Sequence, residues 1–155
     1  MDPVSEARLE LICPALAIKV RQMAEMLADE FKFRVTHGLR SWDEQAKLYA
    51  QGRTMPGAIV TNAQPGHSWH NFGLAVDVVP MTDLGADWNL SHPQWQRLVA
   101  VGTTLGLVAG AQFRTFPDFP HFQLTGSLPI SPNDEVRQIF LDGGMVAIWK
   151  HAGLA

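Results

Sequence analysis

Two short stretches hold most of the side chains able to do chemistry. The first is Ser68-Trp69-His70-Asn71-Phe72-Gly73-Leu74-Ala75-Val76-Asp77, and the second is Phe116-Pro117-Asp118-Phe119-Pro120-His121-Phe122-Gln123-Leu124. Between them His70, Asp77 and His121 supply two imidazoles and one carboxylate. Such a three-ligand set leaves a fourth tetrahedral position for water, the pattern of catalytic rather than structural zinc. Asp118, close in sequence to one of these ligands, is a spare carboxylate of the kind a general base for that water requires. Each stretch also has a plainer reading. His70 could be a buried, hydrogen-bonded core histidine beside an unrelated strand-end Asp77, and the second stretch a loop packed by aromatics and prolines with Asp118 solvated.

The elements around these residues must bring them together. From Gly73 onward the side chains alternate, with Leu74, Val76 and Val78 on one face and Gly73, Ala75 and Asp77 on the other. The first face is core, and the second carries only small side chains leading to a carboxylate, so it has room for something to lie against it. His70 has the wrong parity for that face, so a turn at Asn71-Phe72 must re-aim it. Pro120 keeps Phe119 out of the helical region, which places His121 at the head of a short strand with Asp118 just before it. A strand is expected over Leu74 to Val79, ended by Pro80, and another over Phe31 to Thr36.

Upstream, Leu9, Ile12, Leu16, Val20, Met23 and Leu27 form one apolar helical face, with a break near Cys13 because Pro14 suits the first turn of a second helix. Ser41-Trp42-Asp43-Glu44 is a capping box that starts a short helix through Tyr49, stopped by Gly52. Arg53 to Gly66 is loop. Ser91-His92-Pro93 opens a helix ending at Gly106. Ser131-Pro132-Asn133-Asp134 opens the last helical region, in which Asp142-Gly143-Gly144 separates two short helices. The pattern is α+β, a few short strands with helices segregated around them.

Composition limits what such a chain can be. Its 155 residues make one domain, 46% hydrophobic and 17% charged, with 13 Gly and 10 Pro. That excludes disorder, collagen and coiled coil. The net charge of −3, with no basic stripe beside aromatics, excludes nucleic acid as a partner. Cys13 is the only cysteine, so an intrachain disulfide and a cysteine-based zinc site are both excluded. No apolar run reaches the ~18 residues of a membrane span, and the acidic start of the chain is the wrong pattern for a secretory signal.

The pattern S-x-H-x-x-G-x-A-x-D, followed downstream by D-x-P-H, resembles the zinc peptidases that cut peptidoglycan stem peptides. These form the D-alanyl-D-alanine carboxypeptidase and dipeptidase family, and the chain is most similar to its L-alanyl-D-glutamate endopeptidase branch, which includes phage endolysins. Thr36-His37-Gly38-Leu39-Arg40-Ser41, Gln45, Leu48-Tyr49, Gln51-Gly52-Arg53, Thr61-Asn62-Ala63 and Pro65-Gly66 extend the resemblance, which runs from about Val35 to Leu124.

The resemblance implies a single peptidase domain over residues 1–155 without a separate wall-binding domain. Its fold would be Hedgehog/D-Ala-D-Ala peptidase-like, a small, mainly antiparallel sheet holding one zinc ion and flanked by helices. It implies that His70, Asp77 and His121 bind the zinc, that Asp118 is the general base, and that Arg40 stabilises the oxyanion. The capping box supports Arg40 separately, because it pins the residue just before a helix start; a surface ion pair is the plainer role. Ser68 reads as a substrate or ligand-orienting contact, and Gln45 and Gln123 as partners behind the ligands.

An aspartate in D-x-P-H is associated with the L-Ala–D-Glu branch, and a glutamate more with D-Ala–D-Ala cleavage. The chain departs from the branch at Val108 to Phe113, where a Trp-Gly-Gly-type segment is usual, and at His37, where a small or apolar residue is usual. Both positions could alter a substrate wall. His67 is expected to line the cleft and Trp69 to sit at its rim against sugar or peptide, while His92 and His151 read as exposed.

The expected function is hydrolysis of the L-alanyl–D-glutamate bond. The alternatives are D-alanyl-D-alanine carboxypeptidase activity, or a zinc-stabilised wall-binding module without turnover. The expected protein is a monomer without a membrane anchor, made in the cytoplasm and reaching the wall through holin-type release.

Overall fold

In the computed structural model, which describes residues 1–155, three of the five α-helices begin on a proline. Proline fits there because the first-turn N–H it lacks would have no helical partner. Helix α1 (Pro3–Leu9) is also capped by Asp2, whose Oδ1 accepts from the amides of Val4 at 3.1 Å and Ser5 at 3.2 Å. The chain breaks at Cys13 as expected, and α2 (Pro14–Met26) follows. The apolar stripe from Leu9 through Leu27 is buried throughout, so burial of one helical face holds α1 and α2 on the core. The Cys13 amide donates to the Gly73 carbonyl at 2.9 Å, which ties the start of α2 to the first chemical motif.

The sheet is antiparallel throughout. Strands β1 (Lys32–His37), β2 (Ala75–Thr82), β5 (His121–Gln123) and β4 (Val108–Ala109) lie in that order, and β3 (Gly85–Ala86) pairs with the far end of β2. Strand β2 is central. Its Val76 and Val78, like Phe122 on β5, are fully buried, but so are Ala75 and Val79 on the other face, so of the face expected to be open only the Asp77 end is partly exposed. Ala75 and Asp77 share the other face, directly opposite Gln123 and His121.

Strand β2 does not end at Pro80, which pairs with Phe33 inside it. The missing N–H costs no ladder bond to β5, because β5 pairs only with Ala75 to Asp77 and has already ended. A register shift between Val35 and His37 is a β-bulge, and it brings His37 opposite Asp77.

Helix α3 (Trp42–Ala50) carries the full capping box: Ser41 Oγ accepts from the Glu44 amide, and the Glu44 carboxylate accepts from the Ser41 amide at 2.8 Å. Helix α4 (Pro93–Thr104) starts at His92 without a side-chain cap, since Ser91 Oγ donates to Asn89 Oδ1 instead. Helix α5 (Asp134–His151) is capped by Asn133 and interrupted at Gly144, where φ is 75° and ψ −170°, so it consists of the two expected segments. No helix is long and apolar enough to cross a membrane.

Candidate metal centre and its cleft

His70 is delivered by a single 3-10 turn, Trp69–Phe72, opened by Ser68, whose Oγ accepts from the His70 amide at 3.3 Å. The turn ends at Gly73 with φ 65°, a left-handed conformation that L side chains avoid. It is the device that corrects the parity of His70. The ring is buried at 3% exposure, and its Nδ1–H donates to the Gly38 carbonyl at 2.8 Å. That bond leaves the Nε2 lone pair facing Asp77 Oδ1 at 3.2 Å.

His121 reaches the same point from β5. Its Nε2–H donates to Gln123 Oε1 at 2.8 Å, and Gln123 is anchored by donating its Nε2–H to the Ile130 carbonyl at 2.9 Å. Nδ1 of His121 then faces Asp77 Oδ1 at 3.5 Å. One ligand atom from each of His70, Asp77 and His121 lies within 4.8 Å of the others.

Both imidazoles have committed their outer N–H to a carbonyl oxygen, so both turn a lone pair toward a carboxylate oxygen. Three acceptors aimed at one point repel unless a cation lies between them. Without an ion, protonation of the imidazoles relieves the same crowding. Burial alone would raise the Asp77 carboxyl, but the two histidines outweigh it and hold Asp77 well below the usual aspartate range. Burial would likewise lower His121, yet its bond and charge interaction with Asp77 raise it. A divalent ion fits this donor set of two imidazoles and one carboxylate.

The second oxygen of Asp77 looks the other way. Oδ2 lies 3.7 Å from Arg40 Nη2 and 3.6 Å from His37 Nδ1. Arg40 is held on several sides. Its amide donates to the His70 carbonyl at 3.0 Å, its own carbonyl accepts from Asn71 Nδ2 at 3.0 Å, and its Nη1 donates to Gln45 Oε1 at 3.1 Å. Gln45 is fully buried and donates Nε2–H to the Ala63 carbonyl at 2.8 Å, so helix α3 and the 53–66 loop together set the guanidinium. His37 is mostly exposed, and burial of its ring is the first cause of a lowered pKa, with Asp77 opposing it.

Asp118 lies in the loop that leads into β5. Partial burial and then the charge of Asp77 push its carboxyl above the usual range. The loop is closed by the Gly110 carbonyl, which accepts from the amides of Phe113 at 3.0 Å and Asp118 at 2.9 Å. A Cβ at Gly110 would come within 2.4 Å of the Asp118 carbonyl oxygen, so this close approach needs glycine. The Phe113 ring packs 5.8 Å from the His121 ring. The segment 108–113 therefore braces both a ligand and the neighbouring carboxylate.

These side chains open onto one cleft of about 780 Å³, lined by His37, Arg40, His67, Ser68, Asp118 and the metal-ligand group among others. Of the residues singled out from the sequence, His67 lines the cleft and is exposed, while Gln45 and Gln123 stand behind Arg40 and His121. Trp69 does line the cleft, but as part of its buried wall rather than an open rim: it is 2% exposed, packs on Phe72 and donates its indole N–H to the Ile130 carbonyl at 2.9 Å. The 3-10 turn that aims His70 outward sends its neighbour into the core. His92 and His151 are half exposed and lie outside the cleft lining, as expected.

Asn71 was not among the expected site residues, yet it bridges the Gly66 amide and the Arg40 carbonyl while 2% exposed. An amide side chain between two core aromatics was the available signal.

Comparison with known proteins places this geometry in context. The VanY family model, described as D-alanyl-D-alanine carboxypeptidase, matches residues 11–110. The peptidoglycan L-alanyl-D-glutamate endopeptidase CwlK of Bacillus subtilis (strain 168) is 38% identical over 98 residues, covering 58% of this chain and 59% of that protein. The match thus spans less than two thirds of that relative's length. Among solved structures, the L-Ala D-Glu endopeptidase ChiX of Serratia marcescens is similar with a TM-score of 0.61 and 26% identity, over 81% of this chain and 89% of that one. The LdcB LD-carboxypeptidase shares the fold, with a TM-score of 0.52 and 22% identity over 98% of this chain and 75% of that one.

Proposed function

Because the chain belongs to the VanY family of D-alanyl-D-alanine carboxypeptidases, we propose that it is a zinc-dependent peptidoglycan peptidase cutting the L-alanyl–D-glutamate bond of the stem peptide. The observation that carries this reading is the convergence of His70, Asp77 and His121 in the cleft that Arg40 and Asp118 also line. The choice of bond is supported by the two similar proteins named for that activity and by the aspartate at position 118.

His70 Nε2, His121 Nδ1 and Asp77 Oδ1 would hold the ion. When bound, zinc supplies a Lewis acid that acidifies water and polarises a carbonyl. Asp118 takes the proton from the attacking water and returns it to the leaving nitrogen. Its raised pKa suits both halves of that cycle. Arg40, preset by Gln45 and by the backbone around His70, turns a fixed positive charge toward the carbonyl oxygen as it becomes negative. We extend the reading to endolysin-type wall lysis.

Purified peptidoglycan incubated with the protein should gain D-glutamate amino termini, and a chelator should stop their appearance. Release that persists without metal would overturn the zinc mechanism. A second reading, favoured by the description of the matched family, is D-alanyl-D-alanine carboxypeptidase activity, and release of free D-alanine would establish it instead.

A further inference from the structure

Of the eight arginines in the chain, seven are held by a carboxylate, an amide oxygen or a backbone carbonyl. Arg114 alone has neither an ion pair nor a hydrogen bond, and it lines the cleft of the metal-ligand group. A free surface arginine is ordinary. What sets this one apart is its mounting, on the same loop as Asp118, closed at one end by the Gly110 carbonyl and braced by Phe113 against His121. Arg40, the other cleft arginine, is held by Gln45 beside Asp77, whereas Arg114 lines the cleft without a protein partner.

We propose that Arg114 is a specificity-determining residue that binds the free α-carboxylate of the residue on the leaving side of the scissile bond. This rests on the endopeptidase reading. In an L-Ala–D-Glu stem the D-glutamate continues the chain through its side-chain carboxyl, leaving its α-carboxylate free. That carboxylate and the leaving nitrogen are attached to the same carbon, with the carboxyl carbon about 2.5 Å from the nitrogen. The loop that brings a proton to the nitrogen also carries, a few residues away, a guanidinium that lines the same cleft. Arginine suits the role because its planar fork matches a carboxylate with two parallel bonds.

The test compares two synthetic stem peptides, one with D-glutamate and one with D-isoglutamine, in which that same α-carboxyl is an amide. The zinc-loaded wild type is expected to favour the acid peptide by about tenfold to a hundredfold in kcat/KM, chiefly through KM. Arg114→Gln should erase the preference by losing activity on the acid peptide alone, and Arg114→Lys should retain part of it. Arg114 is exposed, so both variants should melt with the wild type.

If the wild type cleaves both peptides equally, or Arg114→Gln keeps the preference, the role of Arg114 is overturned and the peptidase reading stands. If the wild type cleaves neither peptide, that reading falls and the role of Arg114 falls with it.

Discussion

Asp77 and His121 stand directly opposite each other in the antiparallel pairing of β2 and β5, with Asp77 Oδ1 3.5 Å from His121 Nδ1. Opposed residues of an antiparallel pair put their side chains on the same face, so this one register places a carboxylate and an imidazole together. The turn ending at Gly73 then adds His70 to the same oxygen. Several expectations rest on this arrangement.

Zinc should raise the melting temperature of the metal-free protein, and a chelator should reverse the rise, because an ion held by all three side chains binds the folded state alone. At a hundredfold excess over its dissociation constant the stabilisation would be about 2.7 kcal/mol. Asp77→Ala should abolish the shift, as differential scanning fluorimetry would show; an undiminished shift in that variant would place the ion elsewhere.

Gln123→Leu should weaken zinc binding about 10- to 100-fold, since it frees the Nε2–H that fixes the His121 tautomer. Competition with a chromogenic chelator measures this directly. Gln123→Glu keeps the acceptor for His121 but loses the donor to the Ile130 carbonyl, so it should recover only part of the affinity.

Asp118→Asn should lower kcat by about 10²- to 10⁴-fold with zinc stoichiometry unchanged. Asp118 acts as a base in its charged form, and its pKa lies above the usual aspartate value of 3.8. The wild-type rate should therefore rise with pH through that elevated value, and the acid limb should be missing from the pH profile of Asp118→Asn. The same limb in the variant would assign the base to another group.

Asp2→Ala should destabilise the fold by about 1 kcal/mol near neutral pH by removing the cap of α1. Burial opposes ionisation of Asp2, but bonds from Ser5 and the charge of Arg34 prevail and lower its pKa below 3.8. A lowered aspartate stabilises the fold above 3.8, and the contribution is lost as pH falls through the folded value. Denaturant midpoints of wild type and variant should converge in that acidic range; a constant gap would mean the carboxylate charge contributes nothing.

Much of the architecture was legible in the residue order because its signals are local. Proline at a helix start and the Ser41–Glu44 capping box each act within one turn, so their meaning survives without knowledge of the rest of the chain. The wrong parity of His70 was equally local, and it required the turn that Gly73 completes. Pro80 misled because a proline ends a strand only where its missing N–H would be needed, and that depends on how far β5 extends. Trp69 lines the cleft as expected but not at an exposed rim, because its place between two cleft residues does not reveal that a 3-10 turn buries its ring in the wall.

The ligand types and the neighbouring carboxylate could be named from residue chemistry and order, whereas the arginine before α3 was implied by the family resemblance. Their convergence was settled by strand register, which pairs segments distant in sequence and is selected by burial of the whole sheet. The bulge that carries His37 opposite Asp77, the Gln123 bond that frees His121 Nδ1, and the Gly110 contact beneath Asp118 all belong to that second kind. Each depends on which groups meet across the folded chain, and no local pattern specifies that.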